Sequence, residues 1–277
     1  MIAGGNAGAL TACGGVQHTA AAASGPVRLA GSDTMRKLAQ AWAERFTVLH
    51  RGWEVRVSGG GTSGGLAALE TGVADVCLAS RRASEAERRR ISSSLGTDVR
   101  ESIVGIDAIG IYAHSRCGVE SAPLTEFRRL FEGEIKNWRE LGGADVAVRL
   151  FGRDEASGTH VMFQEMVLKG RAFAQSVRAL PDTDAVMRAV AETEGGVGYG
   201  GLTARGNVVA LAVRGPQGSA RPESRSVRDG AYPLARPLFL YSPSKGSDGV
   251  SEFVAWATGA EAQAVVERSG FVSVGVG

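Results

Sequence analysis

Apolar positions along this chain switch between two periods, and each switch falls at a turn rich in glycine and hydroxyl residues. Val27 to Ala30 is a short apolar run closed by Gly31-Ser32-Asp33-Thr34. Beyond it, Met35, Leu38, Ala39, Trp42, Phe46 and Leu49 recur at helical spacing, which predicts an amphipathic helix. The run Glu54 to Ser58 alternates as a half-buried strand does, and Gly59-Gly60-Gly61-Thr62-Ser63-Gly64-Gly65 separates it from the helical stretch Leu66 to Leu69. A third junction, Gly152-Arg153-Asp154-Glu155-Ala156-Ser157-Gly158-Thr159, precedes a helical pattern from His160 to Lys169. Open α/β sheets bind ligands just outside the carboxyl ends of their strands, and turns of this kind supply that position.

The third junction carries the sharpest chemistry. The first N–H groups of a helix lack partners inside it, and the helix dipole is positive there, so a hydroxyl-rich helix start attracts an anion. A guanidinium beside it, Arg153, can fork onto two oxygens of a tetrahedral oxyanion. The plain alternative is a capped helix with Arg153 solvated or paired with Glu155.

Composition narrows the classes. A chain of 277 residues, 44% apolar and 22% charged, can bury a sizeable core in one large or two modest domains. A net charge of +2 without a basic stripe argues against nucleic acid. The charge run Glu85 to Arg90 reads as a solvated helix face. No segment is long and apolar enough to span a membrane, and no cysteine or histidine cluster has metal-ligand spacing. Cys77 reads as core, Cys117 as incidental, and His160 as a first-turn helix residue. Cys13 is different: Leu10-Thr11-Ala12-Cys13 fits the site where bacterial lipoproteins are cut and lipidated, ahead of a tether-like stretch from Gly14 to Gly25. Met1 to Ala12 carries no Lys or Arg and only a weak apolar core, so chance in an Ala/Gly/Thr-rich tail is the other reading.

A resemblance then becomes specific. "GSDTM" at 31–35, "GGGTSGG" at 59–65, "ADVCLASRRAS" at 74–84, "LFEGEIKNWRELGG" at 130–143, "GRDEASGTHVMF" at 152–163, "GGVGYGG" at 195–201 and "YPLARPLFLY" at 232–241 resemble, in order, the phosphate-binding proteins of bacterial ABC importers. That resemblance implies an α/β, two-lobed type II periplasmic-binding-protein fold, each lobe a mixed sheet flanked by helices, with two crossover segments forming a hinge. Together with the pattern it implies a leader and linker over 1–26, a first lobe from 27–108 plus 234–277, and a second from 113–230. Ile106 to Ala113 would cross out of the first lobe, Leu234 to Tyr241 would return, Arg214 to Gly230 would be a loop, and a helix near Val250 to Arg268 would close the fold.

Carried over residue by residue, the family's anion contacts fall on Ser32, Thr34, Thr62, Ser63, Arg153, Ser157, Gly158 and Thr159. One position departs: where the best-studied branch has an aspartate that accepts the proton of hydrogen phosphate, this chain has Arg81. As in another branch, Arg81 would grip the anion directly, with Arg153 opposite; the plain alternative is a surface ion pair with Glu85 or a neighbour. Glu155, then Asp33, become candidate proton acceptors.

The implied function is extracytoplasmic binding of inorganic phosphate and delivery to an ABC transporter permease, without catalysis, cofactor, metal or nucleic acid. The protein would be a monomer in the periplasm or at the cell surface, touching the membrane only through a lipid on Cys13. Two rivals stay open. Another oxyanion (sulfate, molybdate or tungstate) would fit the same turns. Alternatively Gly61-Thr62-Ser63-Gly64-Gly65 matches the G-x-S-x-G elbow of serine hydrolases, with Asp107 and His114 or His160 completing a triad.

Overall fold

The computed structural model describes Met1 and residues 25–155, 157–202, 204, 206–215 and 218–275, so the Cys13 reading lies outside the described residues. The chain begins β1 (Val27–Gly31), α1 (Arg36–Leu49), β2 (Val55–Gly60), α2 (Gly61–Glu70), β3 (Val76–Ala79) and α3 (Glu85–Leu95). β1 lies between β2 and β3 and runs parallel to both, as strand–helix alternation requires. The helical stripe behaves as its spacing predicts: Leu38, Ala39, Trp42 and Phe46 are buried, while Leu49 at the end is 39% exposed. A single 3-10 turn, Asp33–Met35, separates the glycine turn from α1.

β4 (Val99–Ala113) then joins the two halves of the molecule. Its residues Val99 to Ala108 pair antiparallel with a strand from the far end of the chain, and Ile109 to Ala113 pair with the second sheet. The second lobe follows: β5 (Ser121–Pro123), α4 (Leu124–Phe131), β6 (Arg149–Arg153), α5 (Gly158–Met166), β7 (Arg178–Leu180), α6 (Thr183–Glu192), β8 (Gly196–Gly201), β9 (Val209–Gly215), β10 (Gly218–Ala220) and α7 (Ser224–Arg228). The chain returns through β11 (Ala235–Pro243) and ends with α8 (Asp248–Ala257) and α9 (Ala260–Arg268). Strand order β2-β1-β3-β11-β4-β8-β6-β7 makes a mixed sheet in which β4 and β11 are the two crossings.

Each lobe has its own main core. Trp42, Phe46 and Phe253 anchor the first, where the Trp42 indole N–H donates to the Ala262 carbonyl at 3.1 Å. Phe127, Phe131, Trp138, Phe163 and Tyr199 anchor the second. The "KNW" piece earns its place here: Asn137 and Glu140 form a capping box over the Trp138–Leu141 turn, while Trp138 is fully buried and donates to the Gly195 carbonyl at 2.9 Å.

Two expected segments differ. The single helix over Val250 to Arg268 is broken between Ala257 and Ala260, where extended Gly259 caps α9. The Arg214 to Gly230 stretch contains β10 and α7; β10 pairs with β9, so the glycine-rich composition marked a hairpin and not an unstructured loop.

Candidate anion-binding cleft

Glycines bring the first-lobe turns together. Gly31 has φ +137°, and a Cβ there would lie 2.2 Å from the Leu78 carbonyl oxygen; Gly65 sits so close to β1 that a Cβ would lie 2.5 Å from the Gly31 Cα. Only glycine permits both approaches, so the ends of β1, β3 and α2 converge. Across the gap, a Cβ on Gly158 would come 3.2 Å from Thr34 Oγ1, so the start of α5 touches the first-lobe turn with no side chain to spare.

The result is a cleft of about 950 Å³ between the lobes, lined by Ser32, Asp33, Thr34, Thr62, Ser63, Arg81, Arg153, Ser157, Gly158 and Thr159, all expected from the sequence. Five cations (Arg36, Lys37, Arg81, Arg153, Arg236) and four carboxylates (Asp33, Asp107, Glu165, Asp184) line it. Glu155 does not line it and is exposed. Asp33 does line the cleft, but its side chain is 56% exposed and sits 3.7 Å from Arg36.

Hydrogen bonding in the cleft is one-sided. Thr34 Oγ1 accepts from Arg236 at 3.4 Å, Thr62 Oγ1 from the Ser80 main chain at 3.1 Å, and Ser63 Oγ from Arg81 at 2.9 Å. Ser157 Oγ accepts from the His160 main chain at 3.5 Å and Thr183 Oγ1 from Arg153 at 3.4 Å. A hydroxyl that accepts from the protein still has its own proton to give. Five such hydroxyls and two helix starts therefore present donors, which suits a ligand made only of acceptors.

Arg153 is held by its main chain and left open at its head. Its N–H donates to the Tyr199 hydroxyl at 3.1 Å, and its carbonyl accepts from His160 Nδ1 at 2.9 Å. Burial pushes the Tyr199 phenol up to about 12, so it stays a neutral strut. Arg153 Nε is buried and has no partner among the described residues, although it belongs to a group that is always charged. An orphaned guanidinium N–H on a cleft-lining residue calls for an explanation, and an anion is one candidate.

Arg81 behaves differently. Both its terminal nitrogens fork onto Glu87, Nη1 to Oε2 at 3.0 Å and Nη2 to Oε1 at 2.9 Å. Nη2 also donates to Ser63 Oγ and Nη1 to the Arg82 carbonyl, so all four terminal N–H groups are committed. For the direct contact expected of Arg81, this arrangement leaves only its Nε–H. The partner is Glu87, not Glu85, and the run Glu85 to Arg90 is therefore not wholly a solvated face.

Asp107 and Arg236 were missed as anion-site residues. They stand opposite each other in register on the two crossing strands, with Arg236 Nε and Nη2 both 3.4 Å from Asp107 Oδ2. Their side chains are 15% and 17% exposed, and Arg236 also reaches Glu165 of the second lobe at 3.4 Å. Burial lifts the Asp107 carboxyl above the usual range, and Arg236 opposes that shift. A charged residue inside the apolar run Ile106 to Ala113 was the available signal, since buried charges are paired or functional.

The hydrolase geometry is not assembled. Ser63 Oγ accepts from a guanidinium, which cannot take up its proton, and neither His114 nor His160 lines the cleft. His160 Nδ1 is held by the Arg153 carbonyl and not by a carboxylate, so the acid of a triad is missing there. Among the described residues no group of His, Cys, Asp and Glu is arranged to hold a metal ion, and no helix is long and apolar enough to cross a membrane.

Fold and cleft together define a two-lobed binding protein of the type II periplasmic class, and comparison agrees: residues 16–261 match the PBP superfamily domain, and the chain belongs to that superfamily. It is 27% identical over 272 residues to the phosphate-binding protein PstS of Pseudomonas aeruginosa, covering 91% of this chain and 84% of that one. It is 28% identical over 255 residues to PstS of Bacillus subtilis, covering 91% and 82%. Among solved structures, a possible phosphate binding protein from Planctomyces limnophilus superposes with TM-score 0.79 at 26% identity, covering 92% and 94% of the two chains. An ABC-type phosphate transport receptor from Vibrio cholerae superposes with TM-score 0.75 at 22% identity over 89% and 99%, a likeness of fold.

Proposed function

We propose that this chain binds inorganic phosphate between its lobes outside the cytoplasm and delivers it to an ABC transporter permease. The observation that carries the reading is Arg153, a cleft-lining guanidinium whose buried Nε has no partner among the described residues, together with five lining hydroxyls (Thr34, Thr62, Ser63, Ser157 and Thr183) that each have a protein donor on their oxygen. Such a lining favours an oxyanion near Arg153. The contacts we assign are Ser32, Thr34, Thr62, Ser63, Arg153, Ser157, Gly158 and Thr159. The names of the relatives support phosphate over sulfate, molybdate or tungstate.

Hydrogen phosphate differs from sulfate in having a proton to donate, and a donor-rich cleft needs one acceptor for it. We assign that role to Asp107, in place of Glu155 and Asp33, because it lines the cleft with a side chain only 15% exposed. Sulfate would face the same carboxylate with no proton to share.

The lobes we assign are 27–108 with 234–277, and 113–230, each with its own aromatic core. The remaining parts of the reading are a monomer, no catalytic step, and a lipid at Cys13 tethering the protein at the cell surface.

A thermal-shift panel on protein dialysed free of phosphate tests the proposal. A ligand that binds only the folded state adds about 4 kcal/mol at a thousandfold excess, a shift on the order of several degrees for a chain of this size. Phosphate is expected to give the largest shift. A clear response to sulfate or molybdate with none to phosphate would contradict the assignment.

A further inference from the structure

We infer that Glu87 and Arg81 form a positioning pair that acts on the ligand through Ser63: Glu87 locks the Arg81 guanidinium, and Arg81 fixes the Ser63 hydroxyl as a donor aimed into the cleft. The inference rests on the oxyanion reading of the cleft and gives it a specificity-determining element from outside the anion contacts.

The geometry is closed at each link. Glu87 takes the guanidinium in a fork of 3.0 and 2.9 Å, which fixes both the position and the plane of Arg81. The same carboxylate accepts from the Ser84 main chain at 2.7 Å, as the N3 member of the α3 capping box, so Glu87 is itself anchored to a helix start. Arg81 Nη2 then donates to Ser63 Oγ at 2.9 Å. An arginine has no acceptor to offer, so the Ser63 proton cannot turn back toward it and must point elsewhere. Ser63 lies in the first turn of α2 and lines the cleft, so the free direction is the ligand's. With its terminal N–H groups committed, Arg81 supplies orientation and a nearby positive charge, not a bidentate contact. The fork also holds Glu87 well below the usual carboxylate range, at about 2, so the pair is charged throughout physiological pH.

The competing explanation is a staple that only ties α3 to α2. The two differ in what they couple to. A staple contributes to folding whether or not Ser63 has a hydroxyl, whereas a positioning pair contributes to ligand affinity only through that hydroxyl.

Glu87→Gln is the suitable variant, because glutamine still serves at N3 of a capping box while offering Arg81 one acceptor instead of two. Phosphate affinity is measured by calorimetric titration for wild type, Glu87→Gln, Ser63→Ala and the double variant, with the unfolding midpoint of each ligand-free protein beside it. Glu87→Gln is expected to weaken phosphate about tenfold in the wild-type background and less than about twofold in the Ser63→Ala background. Its effect on the ligand-free midpoint should be the same in both backgrounds. Equal loss of affinity in both, or no loss in either, would overturn the inference and leave a staple. If wild type binds sulfate and not phosphate, the phosphate reading falls, and the same cycle run with sulfate decides the pair. If no oxyanion binds, both fall.

Discussion

The two arginines that face the cleft from opposite lobes look equivalent in the sequence and are not equivalent in the structure. Arg81 stands at a place where three first-lobe turns are interlocked by Gly31 and Gly65, and its neighbours Glu87 and Ser63 take up its terminal N–H groups. Arg153 stands at a single strand–helix junction, touches Thr183 through one nitrogen, and keeps a buried Nε without a partner. A cation's role in a binding site is set by the donors it has left over, not by its distance from the ligand. On that ground we propose that the second lobe supplies the grip and the first a set of oriented hydroxyls.

The largest expected effect tests that contrast. Arg153→Ala should weaken phosphate binding by roughly 3 kcal/mol or more, since it leaves a desolvated anion short of a charge. Arg81→Ala should cost about 1–2 kcal/mol, the scale of one misdirected hydroxyl. Equal losses in calorimetric titration would erase the distinction between the two arginines.

Next in size is the effect at Asp107. Asp107→Asn should narrow the preference for phosphate over sulfate by about tenfold or more, because the amide no longer repels sulfate and can donate to it. Competition titration reads this ratio directly, and an unchanged preference would return the proton acceptor to another group. The parallel variant Glu155→Gln is expected to change nothing, since that side chain lies outside the cleft lining.

What the sequence could and could not convey follows from the same residues. The strand–turn–helix junctions were legible because Gly/Ser/Thr turns and helical stripes are local signals, and the family resemblance then singled out Ser32, Thr34, Thr62, Ser63 and Ser157 to Thr159 within them. The Asp107–Arg236 pair joins positions 129 residues apart, and only the antiparallel register of β4 with β11 brings them face to face. Glu87 was hidden for a different reason. Its place in a run of charges read as solvent exposure, while the capping geometry of α3 turns that one carboxylate back toward Arg81. The break between α8 and α9 was missed because the apolar positions keep helical spacing through Gly259.

A smaller effect is expected at the contact between lobes. Gly158→Ala places a Cβ 3.2 Å from Thr34 Oγ1, so one partner must give by a few tenths of an ångström. Affinity should fall by about 1 kcal/mol while ligand-free stability is unchanged, because the crowding matters only when the lobes meet. A loss of stability equal to the loss of affinity would mean that the contact is permanent.

The smallest effect sharpens the role of the first-lobe pair. The folded Glu87 carboxyl titrates at about 2, below its unfolded value of 4.5, so its contribution to stability is complete above about pH 4.5 and is lost as pH falls toward 2. The Arg81 partner is 45% exposed, so screening limits that contribution to about 1 kcal/mol. Wild type should exceed Glu87→Gln in stability by this amount at pH 7, and the two acid-unfolding curves should converge near pH 2. Curves that stay parallel would place the Glu87 effect in packing, not charge.

The most direct measurement is a crystal structure of the protein grown with phosphate. The expected result is one tetrahedral anion between the lobes, about 2.7–3.1 Å from Arg153 Nε and Ser63 Oγ, with the Arg81–Glu87 fork intact. An anion bound instead by the terminal nitrogens of Arg81, with the fork broken and Arg153 Nε still unpartnered, would contradict the account.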